Sequence, residues 1–193
     1  MASPKIIVFA GSIRSGSINE KLAVAAANAL RRAGAKVSHI SLKDYPLPLY
    51  DGDLQAREGI PAAARNLVEL FFEHQGVFVA SPEYNASFPP LLKNTFDWMS
   101  RINVEGRPPL PAFKDRVFAL GAVSGGAMGG YRGLTQLRTM MELGLGALVL
   151  PDMVAVGNAA TAFGVDGSLA NERTRDFLDV VVKKLVDVAG RLS

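Results

Sequence analysis

A chain of 193 residues that is 49% hydrophobic and 20% charged fits one globular domain over 1–193 and excludes two tandem cofactor domains, an extended disordered chain and a coiled coil. The absence of cysteine excludes a disulfide framework, an iron–sulfur cluster, a thiolate nucleophile and a CxxC pair, so redox chemistry must come from a borrowed cofactor. The formal charge of +3, from 21 basic and 18 acidic residues spread along the chain, provides no basic stripe for nucleic acid. His39 and His74 fall on unlike segments and read as surface or helix-packing residues, which argues against an imidazole metal site or serine–histidine hydrolysis. Met1-Ala2-Ser3-Pro4-Lys5 runs into a strand without a leader pattern, and no apolar run reaches the length of about 18 residues that a span needs. A cytoplasmic chain with no membrane association is the expectation.

In chain order, Ile6–Ala10 is a β-branched and aromatic run, the pattern of a strand buried on both faces. Leu22, Ala26, Ala29, Leu30 and Ala33 form a helical stripe over Asn19–Ala33, stopped by Gly34. Val37–Leu42 reads as a second strand, 43–60 as a loop, and Ala63, Leu67, Leu70 and Phe71 as the stripe of a second helix. A third strand at Gly76–Ala80 precedes a helix opened by Pro89-Pro90 with Leu92, Thr95, Phe96 and Met99 as its stripe. A fourth strand over Val117–Val123, a helix marked by Leu134, Leu137, Met140 and Met141, and a fifth strand over Ala147–Leu150 follow. After a loosely patterned stretch from Pro151, Ser168 is the expected cap of a last helix bearing Leu178, Val181, Val182 and Leu185. Five strands alternating with five helices predict an α/β fold, a doubly wound five-stranded parallel sheet with helices on both faces. Ligands of such sheets bind beyond the carboxyl ends of the strands. The loops beginning at Gly11, Ser81 and Ser124 therefore carry the functional expectation.

The first loop, Gly11-Ser12-Ile13-Arg14-Ser15-Gly16-Ser17-Ile18-Asn19, has hydroxyls, a guanidinium, two flanking glycines and a helix start. It lacks the lysine of a nucleotide P-loop, since Ser17 follows Gly16, and Ile13 breaks a dinucleotide GxGxxG. What remains is a cradle for a terminal phosphate monoester, with Arg14, Ser12, Ser17 and Asn19 as donors. The plainer alternative is a serine-rich turn in which Ser17 or Asn19 caps the helix. The second loop, Ser81-Pro82-Glu83-Tyr84-Asn85-Ala86-Ser87-Phe88-Pro89-Pro90, combines stiffening prolines with an aromatic ring and exposed peptide groups suited to a flat heterocycle.

With Leu92-Lys93-Asn94-Thr95-Phe96-Asp97-Trp98 and the glycine turn Ser124–Gly130 added, these segments resemble the NAD(P)H-dependent FMN reductase family of flavodoxin-like proteins, which includes quinone, azo-dye and chromate reductases. The resemblance implies a flavodoxin-like fold holding FMN non-covalently. By motif match, Ser12, Arg14, Ser17, Ile18 and Asn19 would hold the phosphate. Pro82, Glu83, Tyr84 and Asn85 would line the isoalloxazine, and Ser124, Gly125 and Gly126 would approach its pyrimidine side.

It also implies hydride transfer from NADPH or NADH to flavin N5 and then to quinone, azo, flavin or metal-oxyanion acceptors by a ping-pong mechanism, with no catalytic side chain. Arg101 and Tyr84 are the candidate contacts for substrate, Arg101 being equally well explained as a cation at a helix end. Glu83 is read as a structural member of its loop in preference to a general acid. Arg107, Lys114 and Arg116 read as solvated surface. The family forms dimers or dimers of dimers, and Leu91 and Trp98, off the helical stripe, suit such an interface. Tetrameric members pair an arginine with a tyrosine one turn later; here Arg132 is matched and the tyrosine is not, so a homodimer is expected over a homotetramer. An electron carrier of the same fold and a non-catalytic FMN-binding module are the alternative functions.

Overall fold

The computed structural model describes residues 3–192; Met1 and Ala2, which open the leaderless start expected above, lie outside the described residues. Five strands form one parallel sheet in the order β2-β1-β3-β4-β5: β1 (Lys5–Ala10), β2 (Lys36–His39), β3 (Gly76–Ala80), β4 (Val117–Val123) and β5 (Leu148–Val156). Every residue of β3 and β4 is buried, as continuous apolar runs in a sheet covered on both faces require. The α-helices among the described residues are α1 (Ile18–Arg32), α2 (Gly52–Glu58), α3 (Ala62–Phe72), α4 (Pro90–Ser100), α5 (Tyr131–Thr139), which runs on into a π-helical turn over Met140–Gly144, and α6 (Glu172–Arg191). One core layer, between the sheet and α3, α4 and α5, is built from Phe71, Leu92, Phe96, Phe118 and Leu134. The other, beneath α1 and α6, is built from Leu22, Ala26, Phe78, Val181 and Leu185. The doubly wound parallel architecture follows the sequence expectation.

Several boundaries differ, each for a local reason. The 43–60 segment contains α2, which buries none of its residues and is started by Asp51, whose carboxylate accepts from the backbone N–H groups of Asp53 and Leu54. A helix without a buried stripe leaves no periodic signal. β2 stops at His39, short of the expected Leu42, and Leu42 opens a 3₁₀ turn capped by the Ser41 hydroxyl. β5 runs through Pro151 to Val156. It is an edge strand, and its pairing with β4 slips between Phe118 and Leu120, a bulge that accommodates a residue with no N–H. The last helix is capped by Asn171, whose side chain accepts from Thr174 N, whereas Ser168 bonds Asp166.

Two side chains lie deeper than the sequence reading placed them. Trp98 is fully buried: its indole Nε1 donates to the Pro48 carbonyl at 2.8 Å, and its ring meets Tyr50 edge-on at 5.1 Å. The 46–50 segment covers the flank of α4, giving that helix a second buried side, so Trp98 is not an interface residue as expected. Arg116, expected at the surface, is 3% exposed. Its guanidinium donates to the Pro111 carbonyl at 2.9 Å and to the His74 carbonyl at 3.4 Å, and burial lowers its pKa to about 10. His74 beside it is also buried, holding the Leu70 carbonyl at 2.7 Å and the Ser38 hydroxyl at 2.8 Å. This cluster sits at the amino ends of β3 and β4, opposite the functional loops.

Candidate functional site

The sheet brings three loops together because β1, β3 and β4 are adjacent and parallel and end at Ala10, Ala80 and Val123. Backbone bonds continue the pairing one step past the strands: Gly11 N donates to Ala80 O at 2.9 Å, Ser81 N to Gly121 O at 2.7 Å, and Ser124 N to Val156 O at 3.1 Å. Gly11 permits a close approach, since a Cβ there would stand 2.6 Å from the Leu92 side chain. A cleft of about 230 Å³ lies where the first two loops meet, lined by Gly11, Ser12, Ile13, Arg14, Tyr84, Pro89, Pro90 and Leu91.

In the first loop Gly16, at φ 66°, turns the chain into α1. Ser17 occupies the N-cap position, but its hydroxyl makes no capping bond and has no acceptor or donor among the described residues. The N–H groups of Ile18 and Asn19 likewise have no acceptor there, as the geometry of a helix start dictates. Arg14 is exposed, and its side chain has no ion-pair partner among the described residues. Asn19 differs from the expectation of a free amide donor. It is 3% exposed, its Nδ2 donates to Val123 O at 3.0 Å, and its Oδ1 accepts from Val123 N at 2.9 Å. It is a cross-tie between the start of α1 and the end of β4, so the helix dipole and the third loop are held in one frame.

The second loop is a small hairpin. Tyr84 N donates to Ser87 O at 2.8 Å and Ser87 N to Tyr84 O at 3.0 Å, around Asn85 and Ala86 at φ 51° and 63°. Two successive left-handed residues form the tight turn that suits antiparallel pairing. Tyr84 lines the cleft and is about half exposed, while Pro82 is buried. The Glu83 carboxylate turns away from the cleft toward α5. It accepts from Arg132 Nε at 3.1 Å and Arg132 Nη2 at 2.5 Å, and from Gly133 N at 3.0 Å. The Gly133 bond, with the Arg132 charge, holds its pKa below the usual carboxylate range. An ionised, fully engaged carboxylate has no proton to give, in keeping with a structural member of the loop.

In the third loop Gly125 and Gly126 are exposed, and a Cβ at either would meet nothing within 4 Å. Their N–H groups, and that of Glu83, have no acceptor among the described residues. Arg101 stands apart from the cleft. It follows the far end of α4, eleven residues long and so about 16 Å from Pro90, with its guanidinium 5.0 Å above the Tyr50 ring. Leu91, expected at an interface, is among the residues lining the cleft. The signal for it was its position just after Pro89-Pro90, where a helix starts at the loop. His39 is not among the residues lining the cleft and pairs with Glu20, in the first turn of α1, at 2.9 Å.

The Lys93-Asn94-x-x-Asp97-Trp98 motif fastens the 46–50 segment to α4. Lys93 and Asp97 pair across one turn at 2.7 Å. Asn94 accepts from Tyr50 N at 2.7 Å and donates to Pro48 O at 2.9 Å, sharing that carbonyl with Trp98.

Residues 4–161 match the model of the family described as NADPH-dependent FMN reductase. The chain is 37% identical over 110 residues to a quinone reductase of Escherichia coli, an alignment covering 55% of this chain and 57% of that enzyme; it thus spans a little over half the length of that relative. It is 31% identical over 182 residues to an NAD(P)H-dependent FMN reductase of Pseudomonas aeruginosa, covering 94% and 92% of the two chains. Among solved structures, the flavoenzyme NAD(P)H:(acceptor) oxidoreductase FerB of Paracoccus denitrificans superposes with a TM-score of 0.79 at 27% identity, over 97% of this chain and 98% of that one.

Proposed function

Since the chain belongs to the NADPH-dependent FMN reductase family, we propose that it is an FMN-dependent NAD(P)H oxidoreductase acting on quinones, with azo compounds, flavins and metal oxyanions such as chromate as further acceptors. The observation that carries this reading is the donor set left unused at the three loops. The Ser17 hydroxyl and the Ile18 and Asn19 N–H groups gather at one helix start, the exposed Arg14 lines the cleft from the same loop, and Gly125 and Gly126 lack side chains where no protein atom needs the space. These features fit a phosphate monoester at one end and a flat ring approached by backbone at the other. When bound, FMN supplies the hydride chemistry between NAD(P)H and the acceptor in a ping-pong sequence.

The chain's own residues bind and orient. Arg14 and the α1 dipole neutralise the phosphate charge, with Ser12 and Ser17 as hydroxyl donors. Asn19 contributes through its N–H and through the Val123 tie that aims the helix. Pro82 stiffens the entry to the hairpin, Tyr84 and Asn85 present its outer edge to the ring, and the N–H groups of Gly125 and Gly126 direct partial positive charge at the ring's pyrimidine edge. Ser124 holds that loop to β5. With Glu83 ionised and Tyr84 at the cleft, no side chain is needed as acid or base, and positioning supplies the catalysis.

Arg132 is already engaged by Glu83 within the chain, which supports a homodimer in place of a tetramer; a light-scattering mass of one chain would overturn it. The test of the function is anaerobic addition of NADPH, and separately NADH, to purified FMN-loaded protein. Loss of the visible flavin absorbance is expected with at least one. Tight FMN binding without bleaching by either points to an electron carrier and rejects the enzyme.

A further inference from the structure

The Glu83–Arg132 pair joins two loops that the sheet alone leaves separate. Glu83 directly precedes the hairpin that carries Tyr84, and Arg132 lies in the first turn of α5, which begins at Tyr131 directly after the glycine loop 124–130. The carboxylate takes three donors from α5, two from Arg132 and one from the Gly133 backbone. Its side chain is 8% exposed, while that of Arg132 is 59% exposed. The fit extends to the backbone: a Cβ at Gly133 would stand 3.0 Å from the Ser87 carbonyl and 3.1 Å from Glu83 Cγ. The hairpin therefore rests on α5 at both of its ends, at Glu83 and at Ser87. A side chain at 133 would lift it off.

We propose that the side chains of Glu83 and Arg132 form a brace that fixes the distance between the Tyr84 hairpin and the Gly125–Gly126 turn, making them positioning residues for FMN without either side chain touching it. The proposal rests on the FMN reading above. Fork-shaped donation by a guanidinium fixes direction as well as distance, which a lysine does not do. A brace between two jaws stabilises the ligand-bound form by removing freedom the empty cleft would otherwise lose on binding.

The test is FMN titration by quenching of flavin fluorescence, with melting temperature as the control for the fold, on wild type, Glu83→Gln, Arg132→Ala, Arg132→Lys and the Glu83→Gln/Arg132→Ala double variant. Each of Glu83→Gln and Arg132→Ala is expected to weaken FMN affinity roughly tenfold, as loss of a half-exposed charge pair should. The double variant should be no weaker than the worse single variant, because the second change removes a partner already idle. Arg132→Lys should recover only part of the affinity. If both single variants bind FMN as wild type does, or if their losses add in full, the brace is wrong. Should Arg132→Ala fail to fold, Arg132→Lys decides alone: wild-type affinity there defeats the brace, and a partial loss supports it. A wild type that binds no FMN overturns the flavin reading and the brace together, an outcome distinct from a wild type that binds and variants that do not differ from it.

Discussion

The two halves of the glycine loop use the same residue for opposite reasons. Gly129 and Gly130 are jammed: at φ 61° and 87°, a Cβ would stand 2.5 Å from Val156 N in the first and 2.7 Å from Ala122 Cβ in the second. Gly125 and Gly126, three or four residues earlier, have open space and no positive φ. The first pair is glycine because the protein needs it in order to turn against β5 at Gly129 and β4 at Gly130. The second is glycine with no demand from the protein, which is the mark of a surface shaped for something else. The same division runs through the whole cluster: Asn19 and Glu83 build it, while the exposed Arg14 and the buried Ser17 keep side-chain donors to spare.

Substitutions should separate the two roles. The largest effect is expected from Gly129→Ala, where backbone clash adds to left-handed strain. Stability should fall by about 3 kcal/mol or more, read as a lower denaturation midpoint. Arg14→Ala should leave the midpoint unchanged and weaken FMN binding by about 2 kcal/mol, or roughly thirtyfold, in a calorimetric titration; an unchanged affinity would misplace the phosphate. Gly126→Ala should cost about 1 kcal/mol in FMN affinity with no change in melting temperature. If it destabilises the apoprotein as Gly129→Ala does, the contrast between the halves collapses.

The smallest effect concerns acid. A carboxylate whose pKa is lowered in the folded state contributes stability that is present above its ordinary value of 4.5 and is lost as pH falls through the lowered one. The stability gap between wild type and Glu83→Gln should therefore be full at neutral pH and narrow as the medium is taken below 4.5. Chemical denaturation at a series of pH values measures it.

What the sequence revealed depended on whether burial left a pattern. β1, β3 and β4 were readable because apolar residues run through them without interruption, and the loops at their ends followed from parallel topology. α2 was unreadable because it buries nothing. The length of β5 was hidden by Pro151, which argues for a strand end unless the strand is known to be an edge. Trp98 was misplaced because the 46–50 segment that covers it belongs to another part of the chain, and Arg116 because its guanidinium folds back on the Pro111 carbonyl of its own turn and reaches the distant His74 carbonyl. Within the site, donors such as Arg14 and Ser17 were visible as residue types. The Glu83–Arg132 bond crosses 49 positions, a pairing that no periodicity signals.

The Lys93–Trp98 motif shows what such a signature records. Its asparagine and tryptophan share the Pro48 carbonyl, and its lysine and aspartate close on each other. A search keyed on those residues detects how α4 is fastened to the 46–50 segment and is blind to what the cleft holds. A descendant could lose Arg14 and both open glycines and still be recognised by the fastening.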